Sequence, residues 1–159
     1  MAHASTPRRR HPVHPPLIEA GNISIIVFLT VCTKGRRPLL ATRVAHEAAR
    51  TAWLEADHWL VGRYVVMPDH LHLFCAPNTL PIRSLAQWVR YWKASICRRL
   101  LAAEGTFWQS DFWDTQLRRH ESYANKWEYV RHNPVRAGLA LEPDDWPFQG
   151  ELNHLRWHD

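Results

Sequence analysis

The chain of 159 residues has the length of one domain and enough material to bury a core. Apolar residues at 46% and charged residues at 22% exclude a disordered or fibrous chain, and the longest uncharged apolar run, residues 23–33, falls short of the about twenty needed to cross a bilayer. Twenty Lys and Arg against fifteen Asp and Glu leave a net charge of +5, with eleven His besides, a balance that favours an acidic partner. Nine Trp and four Tyr add stacking faces, and basic with aromatic together points toward nucleic acid.

Residues 1–20 carry Arg8, Arg9 and Arg10 among prolines and histidines, with no continuous apolar stretch of the kind a secretory signal needs. They read as a flexible basic arm of a cytoplasmic protein, followed by one domain over 21–150 and a tail over 151–159. Cys32, Cys75 and Cys97 are an odd set without a C-x-x-C pair, which predicts reduced core thiols rather than disulfides or structural zinc. Neither a P-loop nor a dinucleotide fingerprint occurs, so any chemistry draws its energy from its own substrate.

In chain order, Ser24 to Thr33 is apolar and β-branched and predicts a buried strand. Residues 42–57 place Val44, Ala48, Ala52 and Ala56 on one helical face. Leu60 to Val66 and His70 to Ala76 read as a hairpin turning at Met67-Pro68-Asp69. From Ser84 to Ala103 the set Leu85, Trp88, Val89, Trp92, Ile96 and Leu100 keeps helical spacing, with Ser84 and Gln87 as a capping box. A short strand near Asp114 to Arg119 and a helix from Ser122 to His132 follow, the helix ending at Asn133 because Pro134 disfavours helical dihedrals before it. The order β-α-β-β-α-β plus a final helix predicts an α+β split β-α-β fold, an antiparallel sheet with helices on one face and the other face open to a ligand.

His70-Leu71-His72 lies in a strand whose period of two sends His70, His72 and Phe74 to one face. Two imidazoles side by side are what a metal ion requires, although with so many histidines an H-x-H match arises by chance about 0.8 times in a chain of this composition. A pair of merely hydrogen-bonded histidines is the competing explanation. On the final helix Tyr123, Trp127 and Val130 form an apolar stripe. Tyr129 lies about 120° from its centre, with Asn133 one turn on and Lys126 on the same side, where it could hold a phosphate. His70, His72 and Asn133 thus offer three neutral ligands and Tyr129 a nucleophile beside them. A free phenol titrates near pH 10 and needs help to attack phosphorus, which a divalent ion acting as Lewis acid would supply.

The segments Val66 to Leu73 (VMPDHLHL), Phe107 to Arg118 (FWQSDFWDTQLR) and Glu128 to Leu139 (EYVRHNPVRAGL), with Lys93 on the helix between the first two and Asp145-Trp146-Pro147-Phe148 near the end, resemble the single-tyrosine transposases and, more narrowly, their REP-associated relatives. The similarity runs over residues 24–149. It implies a ferredoxin-like fold and a histidine-hydrophobic-histidine site for Mg²⁺ or Mn²⁺ on His70 and His72, with Asn133 as third ligand. It also implies that Tyr129 cleaves single-stranded DNA beside hairpins, becoming joined to the 5′ phosphate. The family often has Asn where Asp69 stands, and Phe148-Gln149 replaces its usual Trp-Ser-Ser ending.

Residues 70–103 hold five basic side chains, Arg83, Arg90, Lys93, Arg98 and Arg99, and no acid, whereas residues 142–159 hold five acids and one Arg. This segregation predicts a DNA-binding face built on the histidine sheet and the 84–103 helix, with Lys93, Arg83, Arg90, Lys126 and Arg118 as contacts. Trp88 and Trp92 read as core; Trp108 and Trp113 are the better stacking candidates. The alternatives are a non-catalytic module of RNA-recognition topology, which would bind nucleic acid without cleaving it, and a metal-dependent hydrolase, which would release product without a protein-linked strand. A monomer and a homodimer exchanging the tyrosine helix fit the sequence equally.

Overall fold

The computed structural model of the protein describes residues 12–17, 24–118 and 120–157. Strand β1, Val27–Cys32, is apolar on both faces, as suits a strand buried between two layers. It pairs antiparallel with β3, His70–Pro77, on one side and with β4, Trp113–Gln116, on the other. Strand β2, Trp59–Val66, forms the expected hairpin with β3 and takes a further strand, β5, Gln149–Glu151, on its outer edge. The resulting order is β4-β1-β3-β2-β5, antiparallel throughout.

The first four strands and helices α1, Arg43–Glu55, and α2, Leu85–Arg99, make the predicted split β-α-β arrangement. The sequence pattern did not disclose β5, because three residues of Gln, Gly and Glu carry no hydrophobic period. Both helices cover one face of the sheet. Trp88, Val89, Trp92 and Ile96 of α2 meet Leu71, Leu73 and Cys75 of β3 in one core cluster. Ser84 caps α2 by accepting the Gln87 N–H, and the helix stops at Arg99 rather than Ala103, just before Leu101 adopts φ +53°. In α1 the buried face is Ala45, Ala48, Ala49, Ala52 and Trp53; of the expected set Ala48, Ala52 and Ala56 are buried and Val44 alone is not, being 66% exposed. Trp53, the largest side chain of that helix, is buried against Tyr64 and Trp92 and sets which sector turns inward. All three cysteines are buried and free, as expected.

The opposite face of the sheet is not open, contrary to the sequence expectation. Helix α4, Tyr123–Arg131, capped by Ser122 accepting the Asn125 N–H, lies on it with the C-terminal segment. Ile26, Val65, Met67, Phe74, Leu117, Tyr123, Val130, Trp146 and Leu155 close into a second core. Phe74 and the α4 stripe would each expose apolar area alone, and burying one against the other removes both from water. Two short helices complete the chain, α3, Glu104–Phe107, and α5, Asn133–Arg136. Of the expected basic arm, Arg8, Arg9 and Arg10 lie outside the described residues, while His14 is held between Asp111 and Asp114 at the start of β4.

The second core leaves no room above β2 at Gly62, where a Cβ would lie 2.6 Å from Leu155 Cδ1 and 2.8 Å from the Tyr123 hydroxyl. Gly62→Ala is expected to cost about 1–3 kcal/mol by overpacking, read from urea denaturation. Combining it with Leu155→Ala should cost less than the sum of the two single changes. An unchanged urea midpoint for Gly62→Ala would contradict this packing.

Candidate active site

The period of two along β3 places Leu71, Leu73 and Cys75 in the helix-side core and leaves His70, His72 and Phe74 on the α4 side. The two imidazole rings stand nearly perpendicular, their centroids 4.8 Å apart. Each is oriented through Nδ1. His70 Nδ1 lies 2.7 Å from Asp69 Oδ1 and His72 Nδ1 lies 2.8 Å from Thr30 Oγ1. Arg36 Nη2, which only donates, also lies 3.3 Å from His70 Nδ1, but the carboxylate, which only accepts, is much closer, so the shorter contact assigns the His70 proton to Nδ1 and leaves the lone pair on Nε2. Thr30 can accept from His72 in the same sense.

Asp69 is braced in turn by Arg36, whose Nε donates to Asp69 Oδ2 at 2.8 Å and whose Nη1 lies 3.0 Å from Cys32 Sγ. Arg36 holds φ +54°, a left-handed conformation that costs a non-glycine residue energy and persists only where its surroundings enforce it. Burial lowers the pKa of His70 against the opposing pull of Asp69. Burial, with the charge His70 carries once protonated and those of Arg36 and Arg136, pushes His72 down to about 3. Burial raises the Asp69 carboxyl, but the bonds from His70 and Arg36 outweigh it and hold the group below its usual value. Both imidazoles are therefore neutral at physiological pH.

Two neutral imidazoles with oriented Nε2 lone pairs fit a divalent ion. Among the described residues no group of three or more His, Cys, Asp and Glu side chains converges on such a site, so a further protein ligand must come from another residue type. Asn133 opens α5, where its Oδ1 accepts from Arg136 Nη2 at 2.5 Å. Among the described residues no hydrogen bond joins it to either histidine.

The four tyrosines separate cleanly. Tyr64 is fully buried and bonded to His46 and Arg50. Tyr123 is buried against Phe74, and its phenol is pushed up to about 12 by burial. Tyr91 lies on α2, across the sheet from the histidines. Tyr129 is 69% exposed, because the Tyr123, Trp127 and Val130 stripe of α4 faces the sheet and turns it outward. The Arg136 guanidinium sits 4.0 Å from the centre of the Tyr129 ring, and its charge also reaches His72.

The predicted basic contacts divide between two places. Lys126 approaches the histidines, its Nζ 5.5 Å from the Phe28 ring that stacks on His72. Arg118 is exposed just beyond β4. Arg83, Arg90 and Lys93 belong to α2 and its approach, on the other face of the sheet, which corrects the expectation of one positive face built from both. Lys93 is half-buried, with Nζ donating to the Gln109 carbonyl at 2.7 Å. With Arg90, Lys34, Trp108 and Trp113 it lines a cavity of about 830 Å³. Trp108 is a core residue whose Nε1 donates to the Lys93 carbonyl. Arg36, Thr30 and Arg136 were not singled out from sequence. Arg36 and Thr30 carry no periodic signal, and Arg136 lies beyond the Pro134 break, where helical counting from Tyr129 stops.

No family model matches the chain. Over 126 residues it is 29% identical to the REP-associated tyrosine transposase of Escherichia coli K12, covering 76% of this chain and 73% of that protein. Over 139 residues it is 29% identical to a protein of Haemophilus influenzae provisionally given the same name, covering 77% of each. The chain is thus similar to REP-associated tyrosine transposases over about three quarters of its length. Its fold agrees with that relationship. It matches a structure of a REP-associated tyrosine transposase bound to a REP hairpin with a TM-score of 0.68 at 21% identity, over 86% of this chain and 82% of that one. A crystal structure from Deinococcus radiodurans R1, provisionally described as a transposase, matches with a TM-score of 0.51 at 20% identity, over 74% of this chain and 97% of that one.

His72 also makes stability depend on pH. In the unfolded chain it takes up a proton near pH 6.5, but in the folded protein only near 3. Between these values the unfolded state binds more protons, so stability falls as pH falls. Acidification from about pH 6.5 to about pH 4 is expected to cost on the order of 3 kcal/mol through this group. His72→Gln should flatten the pH dependence of the urea midpoint by that amount, and an equally steep dependence in the variant would contradict a buried neutral His72.

Proposed function

We propose that the chain is a REP-associated tyrosine transposase-type enzyme that cleaves and rejoins single-stranded DNA beside hairpins, with Tyr129 as the nucleophile. One observation carries the assignment: of four tyrosines, Tyr129 alone is exposed on the helix that packs over the histidine face of the sheet. The structural neighbour bound to a REP hairpin supports hairpin DNA as the partner, and the surplus of basic residues suits a polyanion.

In the proposed reaction the Tyr129 hydroxyl gives up its proton to solvent and its oxygen bonds to the scissile phosphorus, the bond from phosphorus to the 3′ oxygen breaks, and that oxygen takes a proton from solvent and leaves as a 3′ hydroxyl. The 5′ phosphate stays on the tyrosine as a diester, so the energy of the broken bond is kept and rejoining is the reverse step. Mg²⁺ or Mn²⁺, held by His70 and His72 with Asn133, would supply Lewis-acid polarisation of the phosphate when bound. Asp69 and Thr30 keep the two imidazoles oriented for that ion. Lys126, and Arg118 beyond it, can neutralise neighbouring phosphates, which would make binding salt-sensitive.

A single-stranded oligonucleotide carrying a REP hairpin, incubated with the protein in Mn²⁺, should yield a covalent protein–DNA adduct that survives denaturation. Tyr129→Phe is expected to lower adduct formation by about a hundredfold or more while hairpin affinity changes less than about threefold. Adduct formation by Tyr129→Phe at the wild-type rate would sink the assignment. Binding by the wild type with no adduct would instead favour the non-catalytic module. His70→Ala and His72→Ala should each lose Mn²⁺ binding measured by calorimetry and lose the adduct with it, whereas free cleaved product without adduct would favour the hydrolase.

A further inference from the structure

We propose that Arg136 is a further catalytic residue, whose guanidinium receives a non-bridging oxygen of the scissile phosphate beside Tyr129. The inference rests on the assignment of Tyr129 as nucleophile. Two contacts converge on this one side chain. Its guanidinium carbon lies 4.0 Å from the centre of the Tyr129 ring. Its Nη2 donates to Asn133 Oδ1.

The neighbouring arginines are already occupied by acids. Arg36 is paired with Asp69, Arg63 with Glu151, and Arg131 with Glu128 and Asp144. Arg136 has no carboxylate partner among the described residues, and its side chain is exposed. A guanidinium carries five N–H donors in a planar fork, and the Asn133 amide takes one direction of that fork. The remaining donors face outward beside the tyrosine ring. An unpaired guanidinium parked on an aromatic face is weakly held there by the ring quadrupole, and a phosphate offers it a stronger, bidentate partner.

The backbone fixes where this fork can reach. Helix α5 starts at Asn133 with Pro134 buried beneath it, the Arg136 N–H bonds to the His132 carbonyl, and the Ala137 N–H bonds to the Asn133 carbonyl. Gly138 then takes φ +72° and turns the chain away. Arg136 is thereby held one turn beyond Asn133, on the side that meets Tyr129.

In the transfer step the phosphate gains the tyrosine oxygen and loses the 3′ oxygen. The charge on its two non-bridging oxygens is what a fixed guanidinium stabilises. Arg136 keeps its protons throughout; the departing 3′ oxygen takes its proton from solvent.

The test compares wild type, Arg136→Ala, Arg136→Lys and Arg136→Met on the REP-hairpin oligonucleotide, measuring the single-turnover rate of adduct formation and the Kd separately. Arg136→Ala and Arg136→Met should each slow the adduct step by about a hundredfold with Kd changed less than about threefold, and Arg136→Lys should recover part of the rate. Met keeps the long apolar stem, so a folding defect confined to Ala is recognised by near-UV circular dichroism. A second readout uses oligonucleotides with one stereodefined phosphorothioate at the cleaved position. Wild type should prefer one diastereomer, and the Ala and Met variants should lose much of that preference, which a merely structural role would not change. An adduct rate for folded Arg136→Met within threefold of wild type would overturn the proposal. So would a slowed rate with an unchanged diastereomer preference. Failure of wild type itself to form any adduct would overturn the assignment of Tyr129 and this inference with it.

Discussion

Phe74 and Tyr123 meet edge to face with centroids 4.8 Å apart, and the placement of the reactive groups depends on the apolar contact they begin. Phe74 is the third member of the β3 face that also presents His70 and His72, and Tyr123 is the first member of the α4 stripe. Pressing stripe against strand seats α4 over the histidine face and, because helical residues repeat every 100°, leaves Tyr129 pointing outward. One burial event therefore orients the proposed nucleophile and locates the helix that continues into Asn133 and Arg136. Its driving force is apolar area removed from water, so the helix needs no polar contact with the histidines to be located.

Electrostatics then separates two kinds of group on this surface. The imidazoles are kept neutral by burial and by nearby guanidiniums, and the Nδ1 atoms are taken by Asp69 and Thr30. Their free Nε2 atoms suit a metal ion. Arg36 is spent on bracing Asp69, at the cost of a left-handed backbone. Arg136, by contrast, has no acid to neutralise it among the described residues. The surface thus pairs neutral, oriented donors with an unspent positive charge beside an exposed phenol, a combination suited to a phosphodiester. The same division shows why overall charge was a poor guide: Arg83, Arg90 and Lys93 contribute to the surplus but stand across the sheet, and Lys93 is engaged with a backbone carbonyl.

Most of the fold was legible because its signals are periodic. The alternation of HLHLFCA settled which β3 residues share a face, the spacing of four residues between Trp88, Trp92 and Ile96 settled the buried side of α2, and Pro134 marked the end of α4. The open sheet face was misjudged because α4 was weighed as a carrier of Tyr129 and not as a partner for Phe74. Val44 was misjudged because a row of alanines does not say which flank is turned by a neighbouring Trp. Strand β5 was invisible because it is short, polar and held by β2. In the site, His70, His72 and Tyr129 could be picked out by residue chemistry and spacing. Thr30, Arg36 and Arg136 act through contacts between segments distant in sequence or across a helix break, which no local pattern encodes.

The central claim is that Tyr129 is the atom-bearing partner of DNA in a covalent intermediate. It is tested most directly by digesting the denaturation-resistant adduct formed in Mn²⁺ with protease and nuclease and locating the retained nucleotide by tandem mass spectrometry. The account predicts a single modified peptide, containing α4, with a 5′-phosphate nucleotide on Tyr129. A nucleotide on Tyr91, on a histidine or on any residue other than Tyr129 would contradict it.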